Sequence, residues 1–372
     1  MSVSNYRPSQ IIVHRKAIEK NVATECAQLA PEQELFAVVK ANGYGHGAVE
    51  TAKAAKQGGA TGFCVATIDE GLELRAAGLT EPILVLGIVD VAYLEVLSQA
   101  DLAFPIASLE WLQQAQQKLA QLNLVNPLKV HLKIDTGMGR IGFLEASEVL
   151  QAIEILDGSK TFRWEGIFTH FATADQGQTD YFEQQVARFK KVLAVLPYHP
   201  RYVHVSNSAT ALWHPLTFGN MIRYGVAMYG LNPSGRELVA TSLEPALELQ
   251  SELVFVKKLT SGEGVGYGKT YTTANEEWIG TVPLGYADGW LRKMQGFQVL
   301  VAGKRCEIVG RVCMDQFMIR LPEKVAVGTK VTLIGENAGA KITMQEVAEY
   351  LGTINYEVAC TFSERLPRKY RD

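Results

Sequence analysis

A lysine that ends an apolar run is the first residue in this chain with an evident chemical use. Lys40 closes ELFAVVK at 34–40. Burial at a strand end disfavours the ammonium, lowers its pKa and leaves an amine able to attack an aldehyde. A lysine snorkelling to the rim of a domain explains the position equally well. Behind it, Gly43, Gly45 and Gly47 surround Tyr44, allowing close backbone approach and offering a hydroxyl to a phosphate or substrate oxygen. Asp135, His170, His204, Asn207 and Arg223 stand near the ends of other apolar runs. Residues so far apart in sequence meet only if a scaffold gathers its strand ends at one mouth.

Eight such runs occur, at 34–40, 62–67, 82–87, 102–107, 128–135, 164–171, 202–207 and 220–225. Several are nearly continuous in apolar residues, as parallel strands covered on both faces require. The segments between them carry helical spacing: Phe182, Val186, Phe189, Leu193 and Leu196 recur at three and four, after a cap at Thr179 or Asp180 and before Pro197. The pattern is that of an α/β chain whose N-terminal part is a (β/α)8 TIM-type barrel, with an active site in the loops at the C-terminal ends of its strands.

Beyond about Thr241 the texture changes to short β-branched runs separated by glycine-containing turns. A barrel over 1–241 and a mostly β domain over 242–372 are expected, with one late helix in TMQEVAEYLG and a crossing near Asn232, Pro233, Ser234 and Gly235. The chain has 372 residues, 47% of them hydrophobic, enough for two cores. A net charge of −3 makes no electrostatic case for nucleic acid or an anionic membrane. The opening MSVSNYRPSQ has no apolar signal core, no run is long enough to span a bilayer, and Cys26, Cys64, Cys306, Cys313 and Cys360 are odd in number and scattered. A cytoplasmic location with free thiols is expected, and no metal site.

FAVVKANGYGHG around Lys40 closely resembles the pyridoxal phosphate signature of the alanine racemase family. The resemblance continues in order through HLKIDTGMGRIG (131–142), THFATAD (169–175), HVSNSAT (204–210), MIRYGVAMYGL (221–231), GVGYGKTYT (264–272), VPLGYADGW (282–290), VGRVCMDQFMIRL (309–321) and INYEV (354–358). It implies a fold type III pyridoxal phosphate enzyme, an isomerase acting as a homodimer that supplies D-alanine for peptidoglycan. Gly43, Ser206 and Gly266 depart from the residues common in the family, without removing a side chain the reaction needs.

The resemblance also assigns roles. Lys40 holds the cofactor as a Schiff base and serves as one catalytic base; Tyr267 of the partner subunit is the other. An ordinary phenol titrates near pH ~10, so such a base needs cationic or hydrogen-bonding neighbours, and His170 is the candidate. Arg223 faces the pyridine nitrogen, Arg140 the phenolic oxygen and the substrate carboxylate, and His204 lies beside the ring. Tyr44, Ser208, the backbone of Gly225 and Val226, and Tyr356 take the phosphate. Met314 and Asp315 reach the partner's substrate pocket, Tyr286 and Tyr356 narrow the entrance, and Lys133 matches a position that can be carbamylated. A racemase for serine or another small amino acid, a decarboxylase, a Schiff-base aldolase barrel and a non-catalytic pyridoxal phosphate carrier stand as alternatives.

Overall fold

The computed structural model describes residues 2–119, 121–215, 218–240 and 243–372. The chain divides into two compact units, Ala17–Glu244 and Met1–Lys16 together with Pro245–Asp372. The first strand, β1 (Gln10–His14), thus belongs to the unit completed at the far end of the chain, although the sequence reading began the barrel at residue 1. The reason is pairing: β1 lies antiparallel to Leu247–Glu252 and parallel to Arg368–Arg371. The expected boundary between Thr241 and Ser242 lies outside the described residues. Asn232–Gly235 forms a turn inside the barrel unit, the Asn232 side chain accepting from the Ser234 N–H at 2.9 Å.

Among the described residues of the first unit, eight parallel strands form a barrel: β2 (Glu34–Val38), β3 (Gly62–Val65), β4 (Ile83–Val85), β5 (Leu102–Ile106), β6 (Leu128–Lys133), β7 (Phe162–Phe168), β8 (Tyr202–His204) and β9 (Met221–Tyr224). All eight runs read from the sequence are strands. β9 pairs with β2, and the seam between β8 and β9 is closed by Asn220. Its N–H donates to the Val203 carbonyl and its side-chain oxygen accepts from the Val203 N–H, both at 2.9 Å. Wholly buried runs such as Leu35–Val38 and Gly62–Val65 explain the lack of alternation.

Helix Asp180–Ala194 buries Phe182, Gln185, Phe189 and Val192, a face rotated slightly from the expected stripe. Gln185 is the cause. Its oxygen accepts from the Ala172 N–H at 2.8 Å and its amide donates to the His170 carbonyl at 3.3 Å, so a polar residue on the apolar face holds the loop after β7.

In the second unit, the strands Gly264–Val265 and Tyr271–Thr272 form a hairpin with Tyr267 in its turn. Val265, Ile279 and Val309 anchor it, with Leu259, Tyr271 and Met318 packed on them. The expected late helix is Met344–Leu351, begun by a reciprocal cap between Thr343 and Glu346. A second helix, Asn355–Thr361, follows, although only one late helix was expected. No helix among the described residues is long and apolar enough to cross a membrane.

Candidate active site

Lys40 follows β2 at the C-terminal end of the barrel strands. The chain turns there through Ala41, Asn42, Gly43 and Tyr44 with φ between 50° and 60°, a left-handed turn that residues with a β-carbon rarely adopt. Side chains hold it in place. Glu70, which also caps helix Ile68–Ala76, accepts from the Ala41 N–H at 2.7 Å; Asn42 accepts from the Ala48 N–H at 3.0 Å; His46 Nδ1 lies 2.9 Å from the Tyr44 carbonyl. Strain of this kind persists where neighbours over-determine it, and such places cluster at functional sites.

Tyr44 is buried against Tyr229, ring centroids 4.9 Å apart. A β-carbon on Gly225 would come within 3.1 Å of the Tyr44 oxygen. Ser208 Oγ, also buried, accepts from the Gly225 N–H at 2.9 Å and the Ala227 N–H at 3.4 Å. Tyr44, Ser208, Gly225 and Val226 therefore meet after β8 and β9, the end of a barrel where phosphates bind. Tyr356 belongs to the other unit, in helix Asn355–Thr361.

Arg223, only 4% exposed, points inward from β9. It donates to His204 Nδ1 at 2.8 Å and to the carbonyls of Thr169 and Val205 at 2.9 and 3.2 Å, and lies 3.4 Å from His170 Nδ1. Burial lowers its pKa to about 10, which leaves it a cation at neutral pH. His204 is stacked on Phe168, centroids 4.6 Å apart. Lys133, 2% exposed, donates to the Ile134 carbonyl at 2.7 Å, and burial together with Arg223 lowers its pKa to about 7. Asp135 is drawn up by burial but held below the usual carboxylate range by the N–H groups of Gly137, Gly139 and Arg140. It wraps the loop so that Arg140 projects exposed beyond it.

Burial, and then Arg223, Arg140, Lys133 and Lys40 together, hold His170 well below its ordinary pKa. It is therefore neutral at physiological pH and can act only through its hydrogen bonds. Arg223, Arg140 and Lys40 near one neutral histidine, with Lys133 only partly charged near pH 7 and Asp135 the nearby anion, favour an anionic ligand at this mouth.

Tyr267, Met314 and Tyr286 all lie in the second unit. Tyr267 is 68% exposed and Met314 53%. Their loops are buttressed: a β-carbon on Gly266 would meet Met318 at 2.9 Å, the Ala287 N–H donates to the Met314 carbonyl at 3.0 Å, and Asp315 is paired with Arg365 at 2.7 Å. All five cysteines are free thiols. Sequence reasoning passed over His131, Glu70 and Thr169. For His131 a signal existed, since His131 and Lys133 stand two apart in β6 and so share a face.

The fold is an α/β barrel that carries a strand-end lysine and a buried arginine and is followed in the chain by a mostly β unit. The profile described as "Alanine racemase, N-terminal domain" matches residues 13–233, and "Alanine racemase, C-terminal domain" matches residues 246–370. The chain belongs to the alanine racemase family. It is 54% identical to an alanine racemase of Pediococcus pentosaceus over 100% of this chain and 99% of that one, and 55% identical to one of Levilactobacillus brevis over 100% of both. The crystal structure of alanine racemase from E. faecalis superposes with a TM-score of 0.98 at 63% identity, covering 100% of both chains. A histidine racemase from Leuconostoc mesenteroides superposes at 0.93 with 34% identity over 100% of both.

Proposed function

We propose that this chain is an alanine racemase that interconverts L- and D-alanine with pyridoxal 5′-phosphate, so supplying D-alanine for peptidoglycan. The observation that carries the reading is Lys40 mounted on a strained, pinned turn at the same strand ends as the buried Arg223. The side chains fit the cofactor. An aldehyde needs the Lys40 amine, a ring nitrogen has a buried guanidinium, and a phosphate has the hydroxyls of Tyr44 and Ser208 and the N–H groups of Gly225 and Val226, in a cradle that a β-carbon at 225 would crowd.

When bound, the cofactor supplies an electron sink for the α-carbon of the amino acid. The remaining work falls to the protein. Lys40 moves the α-proton on one face, and Tyr267 from a second copy of the chain moves it on the other; the exposure of Tyr267 and Met314 supports their service to a partner. Arg223 only donates hydrogen bonds, so it leaves a facing ring nitrogen unprotonated. His204 lies beside the ring and His170 supports the site by hydrogen bonding. Arg140 takes the substrate carboxylate by a planar, bidentate pairing, and Met314 and Tyr286 restrict the side chain. Lys133 has the neutral amine that a carbamate requires, and a carbamate there gives Arg140 an anion to rest on. Five free thiols support a cytoplasmic setting.

The test is to incubate the purified protein and cofactor with L-alanine, L-serine and L-histidine separately, and to follow each D-enantiomer by chiral chromatography. Fast D-alanine formation, lost in Lys40→Ala, is expected. Preferential turnover of serine or histidine would move the assignment to another racemase, and no turnover of any would overturn it.

A further inference from the structure

The interior of such a barrel is ordinarily filled by layers of branched apolar side chains. Here a polar line crosses it. Beyond the Arg223 to His204 hydrogen bond, His204 Nε2 lies 2.8 Å from His131 Nδ1, and His131 Nε2 lies 3.9 Å from Glu165 Oε2. All four side chains are buried, Glu165 at 6% exposure.

Two backbone features make room for this line. The β6–β7 ladder slips between Val130 and His131, pairing Val130 with Trp164 and His131 with Gly166. Glu165 is thus the extra residue of a bulge, a device that re-aims a side chain. A β-carbon on Gly166 would lie 2.3 Å from His131 Nδ1, so any other residue there displaces the ring.

The direction of the line follows from chemistry. Arginine donates and never accepts, so His204 Nδ1 is the acceptor. Burial, then Arg223, His131 and Lys133, hold His204 neutral, which puts its one proton on Nε2. That N–H donates to His131 Nδ1. Burial lowers the His131 pKa against the pull of Glu165, so this ring too is neutral, with its proton on Nε2 towards the carboxylate. Glu165 is raised by burial but lowered further by His131, Lys129 and Arg163, and is ionised. At 3.9 Å the last link is an attraction of charge for an N–H dipole rather than a direct hydrogen bond.

We propose that His131 and Glu165 are positioning residues: through one-way donation they fix His204 with its Nδ1 lone pair towards Arg223, and so set the guanidinium that faces the cofactor ring. Removing the carboxylate frees His131 to turn its proton to Nδ1. His204 must then accept at Nε2 and present an Nδ1–H to a group that only donates, and the Arg223 contact is lost. His131 and Glu165 act only through His204 and Arg223.

The kinetic part rests on the racemase reading; the tautomer part does not. Selective ¹⁵N-histidine NMR of the wild-type protein, with and without pyridoxal phosphate, is expected to show His131 and His204 neutral, protonated at Nε2. Glu165→Gln, which keeps an oxygen facing His131 but not the charge, should shift that pattern less than Glu165→Leu, and Glu165→Leu should shift His131 and His204 towards Nδ1–H. In parallel, kcat for alanine racemisation should fall at least about tenfold in Glu165→Leu with KM little changed, the scale typical of losing a partner that orients a ligating side chain. Glu165→Gln, which leaves an oxygen dipole in place of the charge, should lose less than Glu165→Leu. Nδ1–H on either wild-type ring would overturn the proposal whether or not the variants fold. So would a folded Glu165→Leu with wild-type tautomers. Wild-type tautomers as expected with no racemase activity would count against the function alone.

Discussion

The hydroxyl oxygen of Tyr44 stands 3.1 Å from the point where a β-carbon on Gly225 would sit. Tyr44 is held there by the left-handed turn after Lys40, and Gly225 by the Ser208 hydroxyl, so neither side yields easily. Gly225→Ala should weaken pyridoxal phosphate binding by about tenfold or more, equivalent to about 1.4 kcal/mol. Fluorescence titration of apoprotein with the cofactor measures it. Unchanged affinity in a folded variant would remove Gly225 from the phosphate cradle.

Lys133 links the site to the pH dependence of folding. Its pKa is lowered from 10.5 to about 7 by burial and then by Arg223, so the unfolded chain binds this proton more tightly than the folded one. The penalty is fully present below pH 7 and is relieved as pH rises from about 7 to 10.5. In carbon-dioxide-free buffer, urea unfolding of the apoprotein should show wild type gaining on Lys133→Met across that window, by an amount on the order of a few kcal/mol. Parallel stability curves for the two proteins would sink the idea.

Tyr267 occupies the turn of a hairpin and is mostly exposed, so its ring contributes little to the core of its own unit. Tyr267→Phe should leave the melting temperature nearly unchanged. Exchange of the α-proton in deuterated water should fall far more for one alanine enantiomer than for the other. Equal small losses for both would argue against two opposed bases.

Gly43 has φ of 60°, and a β-carbon there would approach Thr51 Oγ1 to 3.0 Å and the Ala48 backbone to 3.3 Å. Alanine, common at this position in the family, is therefore not free here. Gly43→Ala should destabilise the barrel by about 1 kcal/mol, a shift readable by calorimetry. A higher melting temperature would show that the turn relaxes to accept it.

The barrel was legible because parallel strands buried on both faces leave uninterrupted apolar runs, and the helices between them leave stripes. The family motifs marked Lys40, Arg223 and Ser208 directly. Other parts were hidden for physical reasons. β1 is short and its partners lie more than two hundred residues away, so nothing local marks it as part of a β unit. Helix Asn355–Thr361 contains Val358, Cys360 and Thr361, poor helix formers that tertiary packing overrides. The neutrality of His170 depends on its burial and then on four basic side chains from three separate segments. Glu165 reads as an ordinary strand carboxylate until the slipped register becomes visible.

The placement of β1 sets the order in which a ribosome can deliver a finished molecule. Its two neighbours, Leu247–Glu252 and Arg368–Arg371, emerge after the whole barrel, the second only with residues 368–371. Until those segments emerge β1 waits unpaired on both edges, and such edges invite association with other nascent chains. Removing Arg368–Arg371 strips one side of β1, so a lesion there is felt by a strand more than three hundred residues earlier in the chain.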